Sequence, residues 1–134
     1  MKAFTVETHD RVEFLSITRQ VADHVKEAGL TDGVVLVFVP HTTAAVTINE
    51  NADPDVMRDM KTALDKIAPN LAEFRHGEGN SDAHARSSLI GCSKTIPVEK
   101  GRLALGTWQD IYFCEFDGPR RRHVFLQFLA AMPA

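Results

Sequence analysis

Side chains that can bind metals or transfer protons are concentrated between Arg75 and Arg86, where the sequence reads RHGEGNSDAHAR. Because apolar residues are nearly absent from this segment, we expect it to line a site rather than to fill a core. Its two histidines, with His41 after a predicted strand, make a set of three imidazoles, which is a recurring ligand set of catalytic zinc. Glu78 could act as general base on a metal-bound water. The pattern therefore predicts a divalent metal, zinc or magnesium, held by His41, His76 and His84.

The same segment also has the features of a phosphate site. Gly77 and Gly79 would let backbone N–H groups close around an anion. Hydroxyl, amide and guanidinium donors that could bind the anion belong to Thr42, Thr43, Asn80 and Arg86. A phosphate-bearing substrate would satisfy both interpretations, so both stay open.

Further polar residues are candidates for the same site. Asn49 and Glu50 end the strand that follows His41, and Gln109 follows the only tryptophan in the sequence GTWQ. The Trp108 ring is expected to pack half-buried, because it combines a large apolar surface with one polar N–H. The basic run 120–122 lies on a predicted turn, either as a solvated surface or as a phosphate contact of a neighbouring subunit.

Composition indicates the general class of protein. A chain of 134 residues is long enough for one domain, predicted over residues 1–134, that needs no disulfide. The formal net charge of −3 argues against a general nucleic-acid binder. Cys92 and Cys114 match no metal or redox motif and are expected to be reduced, and no segment has the ~20 apolar residues of a membrane span. We therefore expect a cytoplasmic protein without nucleic-acid or membrane partners.

Strands dominate the predicted elements, which indicates an α+β fold with a mainly antiparallel sheet or sandwich. Residues 3–7 and 12–17 are predicted to form a hairpin. Two helices are predicted, one from Thr18 to Gly29 and one that Asp53 and Pro54 begin and that ends near Ala68, and a short one over residues 83–90. The other predicted strands are 34–39, 44–49, 93–98, 102–106, 111–116 and 123–130. The unbroken apolar run 34–39 indicates a strand covered on both faces, 93–98 and 102–106 are predicted to form a hairpin, and the second helix is expected to bury Ile67.

The last two predicted strands, IYFCEF and HVFLQFLA, are apolar on both faces. In a chain of this size the helices can cover only one sheet face, so the other face would stay exposed in a monomer. The pattern predicts an oligomer in which sheets pack against one another.

Three long motifs carry a family resemblance. They are HTTAAVTINENADPDV from His41, RHGEGNSDAH from Arg75, and SKTIPVEKGRLALGTWQDIYFCEF from Ser93. Together they resemble the YjbQ-like family, also named the secondary thiamine-phosphate synthase enzyme family. The resemblance covers about residues 10 to 130.

The resemblance implies a seven-stranded, two-sheet β-sandwich with two main helices, which trimerises through packed sheets. It also implies a transferase activity that joins hydroxymethylpyrimidine pyrophosphate to thiazole phosphate. The family's motif histidines correspond to His41, His76 and His84, and the residues expected around them are Glu78, Asn80, Asn49, Glu50 and Gln109.

These observations lead to three functional hypotheses. In the first, a homotrimeric thiamine-phosphate synthase uses His76, His84 and Glu78 in catalysis and assists departure of pyrophosphate by positive charge. In the second, the pocket binds a phosphorylated metabolite or a metal without turnover. In the third, water replaces the thiazole and the protein is a metal-dependent phosphoester hydrolase. A phosphorylated small molecule is the expected ligand in the first and third hypotheses and one of the two expected ligands in the second.

Overall fold

The computed structural model describes residues 1–133, which form eight strands and three helices. The strands are β1 (Lys2–Glu7), β2 (Glu13–Ser16), β3 (Gly33–Phe38), β4 (Ala44–Glu50), β5 (Ser93–Glu99), β6 (Arg102–Leu103), β7 (Gln109–Glu115) and β8 (Arg121–Ala130). The helices are α1 (Thr18–Ala28), α2 (Pro54–Ile67) and α3 (Ser81–Ile90). None of the helices within residues 1–133 is long and apolar enough to cross a membrane.

The strands form two antiparallel sheets. The larger sheet has five strands in the order β1-β8-β3-β5-β6, and the smaller has three in the order β2-β7-β4. The predicted α+β class with two sheets is therefore confirmed. The predicted count of seven strands is wrong, since the two sheets contain eight strands, of which β6 is only two residues long.

The predicted N-terminal hairpin is also wrong. β1 pairs with β8 in the larger sheet, whereas β2 pairs with β7 in the smaller one. The segment between them crosses from one sheet to the other, where the Thr8 backbone N–H donates to the Arg120 carbonyl at 3.0 Å. A turn signal predicts where the chain changes direction, but each of these two strands pairs with residues more than 90 positions away.

The main core lies between the sheets, because each sheet turns an apolar face inward. The larger sheet contributes Val35, Val37 and Leu126, and the smaller contributes Val46 and Phe113. A second cluster lies on the other face of the smaller sheet, beneath the helices, and contains Ala45, Cys114, Leu64 and Ala83. Strand β7 is consequently covered on both faces by its own chain.

The helices begin and end near the predicted positions. Gly29 ends α1 in the left-handed conformation at φ 70°, and the Asp53 carboxylate caps α2 by accepting from the Asp55 N–H at 2.9 Å. Thr18 is not the cap of α1, because Ile17 occupies the capping position and the Thr18 hydroxyl donates to Asp110. Ile67, predicted to be buried, is exposed.

Among residues 1–133, no helix or strand covers the outer face of the larger sheet. On this face Phe38 and Phe125 stack with ring centroids 6.4 Å apart, and Leu129 is 55% exposed. The outer face of β8 carries Phe125 and Leu129 beside the polar His123 and Gln127, so the prediction that β8 is apolar on both faces holds only in part. The prediction that one chain leaves a sheet face uncovered is confirmed for residues 1–133. Strand β3, predicted to be covered on both faces, is covered on one.

We expect Gly33→Ala to lower the free energy of unfolding by about 3 kcal/mol, because overpacking at a backbone contact forces strands apart. A Cβ at this position would overlap the carbonyl oxygen of Leu129 in the neighbouring strand β8. The control is Gly77→Ala, where a Cβ would meet nothing within 4 Å. Urea unfolding of both variants checks the prediction, and equal stabilities would contradict it.

Candidate functional site

A cavity of about 580 Å³ opens at the end of the molecule where β7 runs into β8. Three irregular segments supply most of its polar lining, namely the β3–β4 connection, the loop that leads into α3, and the β7–β8 turn, and the adjoining α3 and β8 add His84 and Arg122. The first segment must cross between sheets, because β3 and β4 belong to different ones. The polar lining residues are His41, Thr42, Thr43, His76, Glu78, Asn80, His84, Arg120 and Arg122.

His41 is held by a backbone contact across the cavity wall. Its Nε2 atom accepts a hydrogen bond from the His123 backbone N–H at 2.9 Å, and the two rings stack with centroids 6.2 Å apart. Since Nε2 acts as acceptor, the ring proton lies on Nδ1 in the neutral form. Burial lowers the pKa of His41, and the Arg122 and His123 charges lower it further. His41 is therefore a neutral hydrogen-bond donor at pH 7.

His76 and His84 form a second imidazole pair in the lining of the cavity. Their ring centroids are 5.3 Å apart and the rings meet edge to face. Helix α3 positions His84 one turn after its start, where the His84 N–H donates to the Asn80 carbonyl at 3.3 Å. His76 lies in the preceding loop, whose turn closes when the Gly79 N–H donates to the His76 carbonyl at 3.0 Å.

The predicted metal site is not formed. Within residues 1–133 no group of three or more His, Cys, Asp or Glu side chains is placed to hold a metal ion. The physical reason lies in His41, because the lone pair of its Nε2 is occupied by the His123 N–H and its Nδ1 carries the proton. His41, His76 and His84 line one cavity, but their rings do not form one cluster. The His41 ring stacks with that of His123, and the His76 ring packs against that of His84.

The floor of the cavity is a buried ion pair between Arg122 of β8 and Glu115 of β7. Arg122 donates from Nε to Glu115 Oε1 at 2.8 Å and from Nη2 to Oε2, and Nη2 also donates to the Thr43 hydroxyl at 2.9 Å. Thr8 and the Asp117 N–H complete the coordination of the Glu115 carboxylate. The third guanidinium nitrogen, Nη1, has no hydrogen-bond partner among residues 1–133 and is available to a ligand.

Asp117 fixes two further lining residues. Its carboxylate accepts from Asn80 Nδ2 at 2.7 Å and from Arg120 Nη2 at 3.0 Å. Burial raises the pKa of Asp117, but the hydrogen bonds from Asn80 and Arg120 outweigh it and hold the pKa below its usual value. Asn80 Nδ2 also donates to Glu78 at 3.4 Å, which leaves Asn80 Oδ1 buried without a partner within residues 1–133.

Several predicted site residues lie elsewhere, and Arg86 is the clearest example. On α3 it is two residues after His84, which places it about 200° around the helix. Its Nε donates to the Ala68 carbonyl at 3.1 Å, and it forms a 3.0 Å ion pair with Asp65. Arg86 therefore fastens α3 to α2. Gly79 does not line the cavity either, because its N–H closes the loop turn and its φ of 71° serves that turn.

Asn49, Glu50 and Gln109 lie at the far end of the smaller sheet. Glu50 is paired with Gln109, whereas Ala44, at the cavity end, is paired with Glu115. Six residues of strand separate the two ends, or about 20 Å. A single chain therefore cannot bring these three residues into the histidine cavity.

Sequence reasoning missed three residues that shape the cavity. His123 holds His41, and Glu115 and Asp117 hold the two arginines. Only a weak signal could have revealed them. Glu115 is a carboxylate inside the otherwise apolar strand sequence IYFCEF, and a buried charge requires a partner of opposite charge.

The fold and the cavity define an α+β protein with two antiparallel sheets and a histidine-lined cavity at one end. The chain belongs to the YjbQ-like family of UPF0047 proteins, because the family model described as "UPF0047 protein YjbQ-like" matches residues 2–131. The family expectation from the three motifs is thus confirmed.

Relatives and solved structures agree with this membership. UPF0047 protein YugU of Bacillus subtilis is 50% identical over 130 residues, which cover 96% of this chain and 98% of YugU. A YjbQ/UPF0047 protein from Clostridium acetobutylicum is 50% identical with a TM-score of 0.93, over 96% of this chain and 100% of that one. A structure from Sulfolobus solfataricus, described as a YbjQ-like protein of unknown function, is 33% identical with a TM-score of 0.92, over 97% of this chain and 96% of that one.

The expected thiamine-phosphate synthase function is wrong on these findings. The relatives are described as UPF0047 proteins and the Clostridium structure as uncharacterised, with no synthase activity among them. The histidines that were expected to hold the metal do not form a metal site. The expectations of a metal-dependent phosphoester hydrolase and of a metal-binding protein are wrong for the same geometric reason.

Glu115→Gln is expected to lower the free energy of unfolding at pH 7 by about 3 kcal/mol, because it leaves the buried Arg122 charge unpaired. Burial raises the pKa of Glu115, but hydrogen bonds from Arg122, the Asp117 N–H and Thr8 outweigh it, so the folded pKa lies below the usual value. The stabilisation from ionised Glu115 is therefore complete above about pH 4.3 and is lost as the pH falls through the folded pKa.

Urea unfolding at pH 7 and at about pH 3 measures this difference. The gap between wild type and Glu115→Gln should narrow at the lower pH, whereas the exposed Glu27→Gln should resemble wild type at both. A gap that is equal at both pH values would show that Glu115 is not ionised in the folded protein.

Proposed function

We propose that the histidine cavity binds a small phosphorylated molecule and that its imidazoles transfer protons to or from that molecule. The observation that carries the proposal is the meeting of three histidines and two arginines in one cavity of about 580 Å³. A volume of this size suits a small metabolite. The protein would then be an enzyme that uses acid–base chemistry.

The arginines support binding of an anion. Arg122 is oriented by Glu115 and Thr43, and Arg120 by Asp117, so both guanidinium groups are held in place before a ligand arrives. Each keeps an Nη1 group without a protein partner among residues 1–133. Charge-assisted hydrogen bonds from arginine suit phosphate oxygens, and groups that are already oriented lose less entropy on binding.

The imidazoles support proton transfer. An imidazole can accept a proton at one ring nitrogen and donate one from the other, so His76 and His84 have the chemistry of a general acid–base pair. His41, which stays neutral, would act as a hydrogen-bond donor from Nδ1. Glu78 lines the cavity next to His76 and His84 and could accept a proton or orient a ring.

Asn80 suggests that the ligand carries a hydrogen-bond donor as well as an anion. Its amide cannot turn over without facing its oxygen toward the carboxylates of Glu78 and Asp117. Its buried Oδ1 atom therefore stays without a donor, at a cost of about 1–3 kcal/mol. A ligand hydroxyl or amine close to Asn80 would remove this cost.

Arg120→Gln is expected to weaken binding of inorganic phosphate about tenfold, because one charge-assisted hydrogen bond is lost. Isothermal titration calorimetry measures the affinity. Arg121→Gln is the matched control, since Arg121 is the adjacent residue but forms an ion pair with Glu7 outside the cavity. Equal phosphate affinity in the two variants would contradict the assignment of Arg120.

His84→Gln is expected to reduce turnover by about 10²–10⁴-fold while ligand binding changes only a few-fold, because it removes a proton-transfer group. Wild-type protein is first incubated with a panel of phosphorylated metabolites, and conversion is followed by phosphorus NMR. His9→Gln is the control, since His9 is exposed, lies beside Glu13 and is not among the residues that line the cavity. Turnover that survives unchanged in His84→Gln would remove His84 from the reaction.

We further propose that three copies of the chain associate through the outer faces of their larger sheets. The uncovered Phe38–Phe125 stack and the exposed Leu129 support this arrangement, because burying them removes apolar surface from water. A cytoplasmic location belongs to the same proposal. Its support is that Cys92 and Cys114 are both free thiols, and burial raises the pKa of Cys114 to about 12, which leaves that thiol unreactive.

Leu129→Lys is expected to shift the protein from trimer toward monomer, because it places a charge in the proposed interface. Light scattering coupled to size-exclusion chromatography measures the mass. Leu89→Lys on α3 is the control, since Leu89 is similarly exposed but lies away from the larger sheet. A monomeric wild-type protein would contradict the proposal.

A further inference from the structure

A second cavity, of about 600 Å³, lies at the opposite end of the smaller sheet from the histidines. It is formed where the end of β2, the start of α1, the β4–α2 connection and the turn before β7 meet. Its lining combines one large aromatic ring, a cation, a carboxylate and several neutral polar groups, including Trp108, Arg19, Asp110, Asn51 and Thr107.

Trp108 presents an exposed ring on a fixed backbone. The side chain is 64% exposed, although an indole ring normally packs at least half-buried. The turn that carries it is closed by hydrogen bonds between Gly106 and Gln109 at 2.8 and 3.1 Å, and the Asn51 N–H donates to the Trp108 carbonyl at 3.0 Å. An exposed aromatic ring on a rigid turn is a platform on which a planar ring can stack.

Asp110 stabilises the base of this cavity, and its carboxylate oxygens are already hydrogen-bonded within the protein. Its Oδ1 accepts from Ser16 at 2.9 Å and from Thr18, and its Oδ2 accepts from Asn51 at 2.5 Å. Asp110 is also buried. Both carboxylate oxygens are therefore engaged in joining four segments of the chain.

Arg19 is the charged group that remains available. It lines the cavity, is exposed, and has no ion-pair partner among residues 1–133. Guanidinium groups bind carboxylates and phosphates with two parallel hydrogen bonds. A ligand that fits this cavity would combine a flat ring for Trp108 with a negative group for Arg19.

We infer that the second cavity binds a small molecule that carries a planar ring and an anionic group, as a mononucleotide does. This site is independent of the histidine cavity, since the two lie about 20 Å apart along the smaller sheet. The ring stacks on Trp108, and the anion binds Arg19.

Trp108 is the only tryptophan of the chain, so intrinsic fluorescence reports directly on this cavity. The probe is AMP, titrated into the full-length protein with excitation at the red edge of the indole absorption. Adenosine supplies the ring without the anion, and ribose 5-phosphate supplies the anion without the ring. We expect saturable quenching by AMP, weaker quenching by adenosine and none by ribose 5-phosphate.

Arg19→Gln should weaken AMP binding about tenfold, as expected for loss of a charge-assisted contact. Arg102→Gln, at an exposed arginine of the larger sheet, should bind like wild type. Absence of saturable quenching at about 10 mM AMP, or equal affinity in both variants, overturns the inference. So does a blue-shifted emission in the free protein, which would mean that another chain already covers the ring.

Discussion

The buried pair between Arg122 and Glu115 is the interaction on which the rest of the site depends. It joins β8 of the larger sheet to β7 of the smaller one, so it fixes how the two sheets meet at the cavity end. The same pair holds Thr43 at the base of the β3–β4 connection, and its positive charge helps to keep His41 neutral. Two charges removed from water are stable only because every oxygen of Glu115 accepts hydrogen bonds. The cavity therefore has an organised floor before any ligand enters.

The histidines around this floor are better suited to proton transfer than to metal binding. The sequence alone does not distinguish a metal site from a proton-transfer site when three imidazoles share one cavity. The distinction depends on whether the lone pair of each ring is free to bind a metal. The His123 backbone N–H occupies the lone pair of His41, which separates His41 from the His76–His84 pair. The arginines then supply the positive charge that a metal would otherwise bring to an anionic ligand.

Local patterns predicted local structure well, and contacts between distant residues were predicted poorly. The capping residue Asp53, the ending glycine Gly29 and the hairpin between β5 and β6 were all predicted from neighbouring residues. The concentration of polar residues before α3 predicted a segment that lines a cavity, and His76, Glu78 and Asn80 do line one. The full set of cavity residues could not be predicted from the sequence. Arg86 was expected in the cavity but faces α2, and Gln109 was expected there but lies at the other end of the smaller sheet. His123 contributes to the site through its backbone N–H, and every residue except proline has such a group, so the residue type gives no indication of this contact.

Binding of a phosphorylated ligand among the imidazoles can be followed at each ring by histidine-selective NMR. The six histidines of the chain give separate ring signals, which are recorded while a small phosphorylated metabolite is added. We expect the ring signals of His41, His76 and His84 to shift saturably with one common affinity, while those of His9 and His24 stay in place. Uniform small shifts at all six rings, or none at the three cavity histidines, would contradict it.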